Sequence, residues 1–245
     1  MGKKDPAFRH EQEMGTLGPM QIETLDHVAL WVGDRDRLAD FLTSHTGMHV
    51  IDRTERFTLV GSDARRGKLT LFAEEGPRDP GVLARVGLRV LDLDAALAAL
   101  PPDLAVERRN GAFVLEAGEG LRLALVEVDE GVDYDLDHVV FRVPDPAATF
   151  ARLADLGFDV EDGLLRAGDA SILLEQGDPG ESDRPLLNHL GLRVESAEDH
   201  IEEAERLGLE IADVVDAPNT YAVFVWGPNR IKLEYVEHKP TFSLT

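Results

Sequence analysis

The chain has 245 residues, 43% of them hydrophobic, no cysteine, and a net charge of −22. That length buries a sizeable core in one or two domains. The missing thiols exclude disulfides, thiolate ligands and a cysteine nucleophile, and they fit a reducing cytoplasm. The charge argues against nucleic acid and anionic membranes as partners, because phosphate surfaces need the opposite sign.

Residues 1–21 begin MGKKDPAFRHEQEMGTLGPM. They lack an apolar core and read as a disordered leader or tag rather than a signal peptide. No apolar run reaches the roughly 18 residues of a membrane-spanning helix. Lysine occurs only at positions 3, 4, 68, 232 and 239. Such an acidic, lysine-poor surface fits either salt adaptation or a GC-rich genome.

One phrase recurs along the rest of the chain. It reads LDHVALWV at 25–32, LARVGLRV at 83–90, LDHVVFRV at 136–143 and LNHLGLRV at 187–194. Four copies spaced by roughly 50–60 residues predict four structural repeats. In the first, a strand is followed by a helix over 35–44, with Asp34 as N-cap and Leu38, Phe41 and Leu42 on one face. The alternating stretch 48–62 and the strand KLTLFAEE complete it. The second repeat has the helix LDAALAAL, stopped by Pro101 and Pro102, then a hairpin turning at Asn110-Gly111 and the strand LRLALVEV.

The third has the helix PAATFARLADLG, with Pro146 in its first turn and Gly157 at its end. Its last strands are FDVEDGLLRAG and SILLEQG. After the linker GDPGESDRP at 177–185, the fourth has a helix capped by Ser196 and the strands LEIADVVD, TYAVFVWG and RIKLEYVE.

Each repeat is thus a βαβββ module, and one module alone cannot cover its own apolar sheet face. The predicted fold is α+β, with four βαβββ modules paired into two cupped, eight-stranded half-barrel domains. Pairing of neighbours gives an N-terminal domain at 22–131 and a C-terminal domain at 132–245.

Strand residues alternate faces. The lead strands therefore place His27, Arg85, His138 and His189 at equivalent positions inside the cups. Aligning the last strands gives a second equivalent set: Phe72, Ala124, Glu175 and Glu234. Under neighbour pairing, the C-terminal cup holds His138, Glu175, His189 and Glu234, a good site for one divalent metal ion such as Fe, Mn, Ni, Co or Zn. The N-terminal cup holds one histidine and no carboxylate and is expected to be metal-free, with His27 an ordinary core histidine. Arg142 and Arg193 lie four residues after the two metal histidines, on the same face, placed to bind a substrate carboxylate or phosphate. Lys232, Tyr221 and Phe224 are further candidates to contact substrate, with Trp226 beside them. His45, His49, His200 and His238 are expected at the surface.

The motifs LDHVVFRV, LNHLGLRV and PNRIKLEY make the chain resemble the vicinal oxygen chelate superfamily over about residues 22–237. That superfamily includes glyoxalase I, extradiol dioxygenases, methylmalonyl-CoA epimerase and the bleomycin and fosfomycin resistance proteins. The resemblance implies a metal-dependent enzyme that polarises a small-molecule substrate through adjacent oxygen atoms. With Glu175 as fourth ligand, and Glu175 or Glu234 as catalytic base, the pattern is similar to glyoxalase I, and lyase or isomerase chemistry is favoured. His138, His189 and Glu234 alone match the two-histidine, one-carboxylate triad of extradiol dioxygenases. There the family's catalytic tyrosine falls on Phe224, and its two further histidines fall near Ala170 and Val215. A non-catalytic drug-binding protein is the third reading. The expected partner is a small molecule, bound by the chain alone or as a homodimer.

Overall fold

The structure is a computed structural model and describes residues 20–109 and 111–245. The four modules are present in the expected order. The first comprises β1 (Thr24–Val32), α1 (Arg35–His45), β2 (His49–Arg53), β3 (Phe57–Asp63) and β4 (Arg66–Ala73). The second comprises β5 (Leu83–Val90), α2 (Leu93–Ala98), β6 (Val106–Arg109), β7 (Ala112–Gly118) and β8 (Leu121–Glu127). The third runs through β9 (Leu136–Val143), α3 (Pro146–Asp155), β10 (Asp159–Glu161), β11 (Leu164–Ala167) and β12 (Ala170–Gln176). The fourth has β13 (Leu187–Arg193), α4 (Ala197–Arg206), β14 (Ile211–Asp216), β15 (Thr220–Trp226), a 3-10 turn (Pro228–Arg230) and β16 (Lys232–His238).

The helices start where the lead strands stop, for one repeated reason. Asp34, Asp92, Asp145 and Ser196 each accept a hydrogen bond from the backbone N–H three residues on. That satisfies one of the donors a first helical turn leaves open. Gly157 closes α3 at φ +95°, a conformation that suits glycine. Asn110 lies outside the described residues, but Gly111 has φ +87° and Arg109 pairs with Ala112, as a tight hairpin requires.

The modules do not pair first with second and third with fourth. One sheet has the order β14-β15-β16-β13-β1-β4-β3-β2 and so joins the fourth module to the first. The other has the order β10-β11-β12-β9-β5-β8-β7-β6 and joins the third to the second. The seams are antiparallel: β1 runs against β13 and β5 against β9. The expected division at residues 131 and 132 is therefore corrected. Sequence pattern could not decide it, because all four lead strands offer the same apolar face and the same free edge. Either partner satisfies the hydrophobic requirement.

Leu30, Leu69, Leu71, Val86, Leu88, Phe141, Leu190 and Leu192 are among the buried residues between sheets and helices. Met20 is 5% exposed and packs with this core. Met20 falls within the expected leader of residues 1–21, of which residues 1–19 lie outside the described residues. No helix among the described residues is long and apolar enough to cross a membrane.

Candidate metal centre

The pairing of first and fourth modules decides which side chains meet. His27 on β1 stands opposite Gly191 on β13, and His189 stands opposite Ala29. Glu234 on β16 is in register with Gly191. The small residues matter, since a Cβ at Gly191 would fall 2.3 Å from the His27 ring. Both histidines and Glu234 are buried.

The three donor atoms form a near-equilateral triangle. His27 Nε2 is 2.9 Å from His189 Nε2. Glu234 Oε2 is 3.0 Å from each imidazole Nε2. The other ring nitrogens are engaged by the residue that precedes each histidine. His27 Nδ1 donates to Asp26 at 2.8 Å, and His189 Nδ1 donates to the side-chain oxygen of Asn188 at 3.0 Å. A neutral imidazole that donates from Nδ1 carries its lone pair on Nε2. Two nitrogen lone pairs and a carboxylate oxygen therefore point at one another inside a buried site. A proton on one ring nitrogen or a bound cation relieves that arrangement. Two histidine nitrogens and one carboxylate oxygen in this arrangement could hold a metal ion.

Protons respond to the same geometry. Burial disfavours the His27 imidazolium, but the Glu234 and Asp26 carboxylates outweigh it, and the pKa rises from 6.5 to about 9. Burial dominates at His189 and lowers its pKa. Burial also opposes ionisation of Glu234, yet the adjacent His189 and His27 hold its pKa far below the usual carboxylate range. In the metal-free protein a proton on His27 thus takes the cation's place.

Asp26 anchors the centre from behind. It is 2% exposed and accepts from Lys68 Nζ at 2.7 Å, besides its bond to His27. His238 Nε2 lies 3.1 Å from it. A carboxylate behind a ligating imidazole fixes its tautomer and raises its basicity.

In front of the donors opens a cavity of about 960 Å³. Its wall includes Trp31, Phe57, Phe72, Phe224, Trp226 and Lys232. Phe72 stands at the fourth equivalent position, so this cup offers three ligands. Its ring centroid is 6.3 Å from that of His189.

Several expected site residues lie elsewhere. His138 and Glu175 belong to the other sheet and do not join His189 and Glu234. Their cup has Arg85 and Ala124 at the two remaining equivalent positions. There Glu175 accepts from Arg142 at 2.8 Å and from Arg85 at 3.3 Å, while His138 Nδ1 donates to Asp137 at 2.6 Å. The guanidiniums of Arg142 and Arg85 thus neutralise Glu175. Arg142 is thus committed to an internal ion pair. Arg193 pairs with Glu23 at 2.7 Å, and the Tyr221 hydroxyl donates to Glu198 at 3.0 Å; neither lines the cavity. Phe224 and Lys232 do line it. His200 is 7% exposed and donates to the Ser196 carbonyl, so neither it nor His238 is a surface group.

Sequence reasoning set aside His27, which completes the cluster, and passed over Asp26, Asn188 and Lys68. A signal for them existed. Each lead-strand histidine follows an Asp or Asn, at Asp26, Asp137 and Asn188, and each such residue holds its neighbour's Nδ1.

The family model described as Glyoxalase/Bleomycin resistance protein/Dioxygenase superfamily matches residues 24–174. No protein of curated function matches the sequence. Among solved structures, a putative dioxygenase from Bacillus subtilis superposes with a TM-score of 0.74 at 18% identity, covering 90% of this chain and 87% of that one. Glyoxalase I from Zea mays gives 0.67 at 18% identity, covering 88% and 92%. The cppA protein from Streptococcus pneumoniae gives 0.57 at 14% identity, covering 89% and 100%. At such identities the likeness establishes the fold.

Proposed function

We propose, because this chain belongs to the Glyoxalase/Bleomycin resistance protein/Dioxygenase superfamily, that it is a metal-dependent enzyme acting on a small molecule with adjacent oxygen atoms. Within that class we assign ring-cleaving dioxygenase chemistry ahead of the lyase or isomerase chemistry expected from a four-ligand site. The observation that carries this choice is the ligand count. His27, His189 and Glu234 converge with donor atoms 2.9 to 3.0 Å apart, and Phe72, not a glutamate, stands at the fourth place. Two histidines and one carboxylate on one face, with the other positions open, suit iron or manganese.

When bound, the divalent ion supplies Lewis acidity to the adjacent oxygens of the substrate. His27 and His189 would hold it through neutral Nε2 atoms, with Asp26 and Asn188 keeping them in that tautomer. Glu234 contributes the one negative charge. Phe72 and Phe224 flank His189 and give the cavity apolar walls there. The Phe224 ring has no proton to give, so the tyrosine role implied by the family resemblance is not filled by that residue.

The test is metal content after anaerobic loading with Fe(II), followed by oxygen uptake with a panel of catechols. One equivalent of metal, lost in His27→Ala, with catechol-dependent uptake is the expected result. Metal binding without uptake on any catechol returns the assignment to lyase or isomerase chemistry. No metal binding overturns it and leaves a small-molecule binding protein.

A further inference from the structure

The lysines and arginines that line this cavity are Arg56, Lys68 and Lys232, and the basic imidazoles of His27 and His238 there both face Asp26. Lys68 is committed to Asp26 at 2.7 Å, and Arg56 is exposed. Lys232 is half-buried and has no carboxylate within the 4.0 Å of an ion pair among the described residues. Asp213 and Glu234 share the cavity with it but lie beyond that reach. Its Nζ instead sits 5.5 Å from the Trp226 ring and 5.8 Å from the Phe224 ring. Aromatic faces attract an ammonium group, and the Asp213 and Glu234 carboxylates act on it only from a distance, so no direct ion pair occupies its Nζ.

The placement of Lys232 is specific. It precedes Glu234 by two residues on β16 and shares its face, so the two Cα atoms are about 6 to 7 Å apart. Phe224 bridges the two sites, with its ring centroid 5.1 Å from that of His189. A flat molecule held at the metal centre by two adjacent oxygens would lie between the rings of Phe72 and Phe224. A substituent about one ring's width away reaches Lys232. The surrounding Trp31, Phe57 and Trp226 add apolar walls, which suit an aromatic or similarly flat body.

We infer that Lys232 is a specificity-determining residue that selects substrates carrying an anionic group, a carboxylate in the first instance, on a flat apolar body. The assignment of a substrate with vicinal oxygens rests on the proposed metal centre. The anion preference rests on Lys232 alone and is tested apart from it.

Both tryptophans of the chain, Trp31 and Trp226, line this cavity. Intrinsic fluorescence therefore reports occupancy without turnover. Two matched pairs serve as probes: a catechol carrying a propionate side chain against its methyl ester, and phenylpropionate against its methyl ester. The second pair has no vicinal oxygens and is titrated into chelator-treated protein, so it reads the anion site with no metal involved. The wild type is expected to bind each acid at least tenfold more tightly than its ester. Lys232→Met brings each ratio to within about twofold, and Lys232→Arg retains the preference. Circular dichroism and metal content of both variants, unchanged from wild type, confirm that only the ammonium was removed.

An acid-to-ester ratio that persists in Lys232→Met overturns the inference. So does a wild type that binds acid and ester equally, or that binds no member of either pair. A retained preference for phenylpropionate in protein that takes up no metal leaves the role of Lys232 standing and sinks the metal centre instead.

Discussion

Raising the pH from 7 to 9 should strengthen metal binding about fiftyfold, and the reason is one proton, still half bound at pH 9. In the metal-free protein the pKa of His27 is raised to about 9, so at pH 7 its imidazole is protonated. The metal needs the lone pair on that nitrogen. Displacing a proton two pH units below its pKa costs about 2.7 kcal/mol, which is a factor of about 100 in affinity. A raised folded pKa stabilises the metal-free fold fully below 6.5, and that contribution is lost as pH rises through 9. Metal affinity climbs through the same window and is flat above it. His189 is already neutral at pH 7, because burial lowers its pKa, and Glu234 is already ionised, so neither adds a proton. Calorimetric titration with Mn²⁺ under nitrogen, in phosphate and in Tris, measures the count from the difference in buffer heats. One proton released per ion at pH 7, falling to a small fraction above pH 9, is expected. No release at pH 7, or equal affinity at pH 7 and pH 9, would show that His27 is not a ligand or is not protonated.

Asp26→Asn should weaken metal binding 10- to 100-fold by loosening the His27 ring, as the loss of an outer-shell carboxylate commonly does. It should also lower stability by about 3–5 kcal/mol, because Lys68, 3% exposed, keeps its charge without a counter-ion; urea unfolding of Asp26→Asn beside Asp26→Asn/Lys68→Met separates the two effects. Combining Arg85→His with Arg142→Leu gives the second cup two imidazoles and a free carboxylate at the equivalent positions, and elemental analysis should find two metal equivalents per chain instead of one. A stoichiometry that stays at one would mean that the second cup differs in backbone geometry and not only in side chains.

Much of this molecule is legible in its sequence, and the part that is not has a definite cause. The lead-strand phrase fixes four modules, and Asp34 and Ser196 mark helix starts that the structure shows as side-chain caps. The face and height of the ligands follow from strand alternation, which holds for His189 and Glu234 as for His138 and Glu175. The partner of each module does not follow. Strand edges pair through backbone groups that every residue carries, and the apolar faces of β1, β5, β9 and β13 are interchangeable in composition. Assigning neighbours as partners put His138 where His27 stands and Glu175 where Phe72 stands. That one topological choice thus moved His138 and Glu175 out of the cup that holds His189 and Glu234, and the lyase or isomerase expectation had rested on Glu175. Arg142 shows a second limit. Its place on the cup face is readable, but its engagement by Glu175 depends on Arg85, which comes from another module.

The same topology makes metal binding a measure of global folding. His27 and His189 are 162 positions apart in the chain, so the centre exists only when the first and last modules have met across the β1–β13 seam. An ion that binds the folded chain and not the unfolded one stabilises it by RT ln(1 + [M]/Kd), about 2.7 kcal/mol at a free concentration a hundred times Kd. For a chain of this length that corresponds to a rise of roughly 5–10 °C in Tm. Thermal unfolding with and without Mn²⁺ then discriminates between the two pairings of modules through single substitutions. His27→Ala should abolish the metal-dependent rise, since it removes one of three ligands. His138→Ala should leave the rise intact, although it removes a buried histidine of the same motif and lowers the metal-free Tm by its own packing loss. A rise that survives His27→Ala and vanishes in His138→Ala would refute the sheet order itself, because no pairing of the first module with the fourth brings His138 to Glu234.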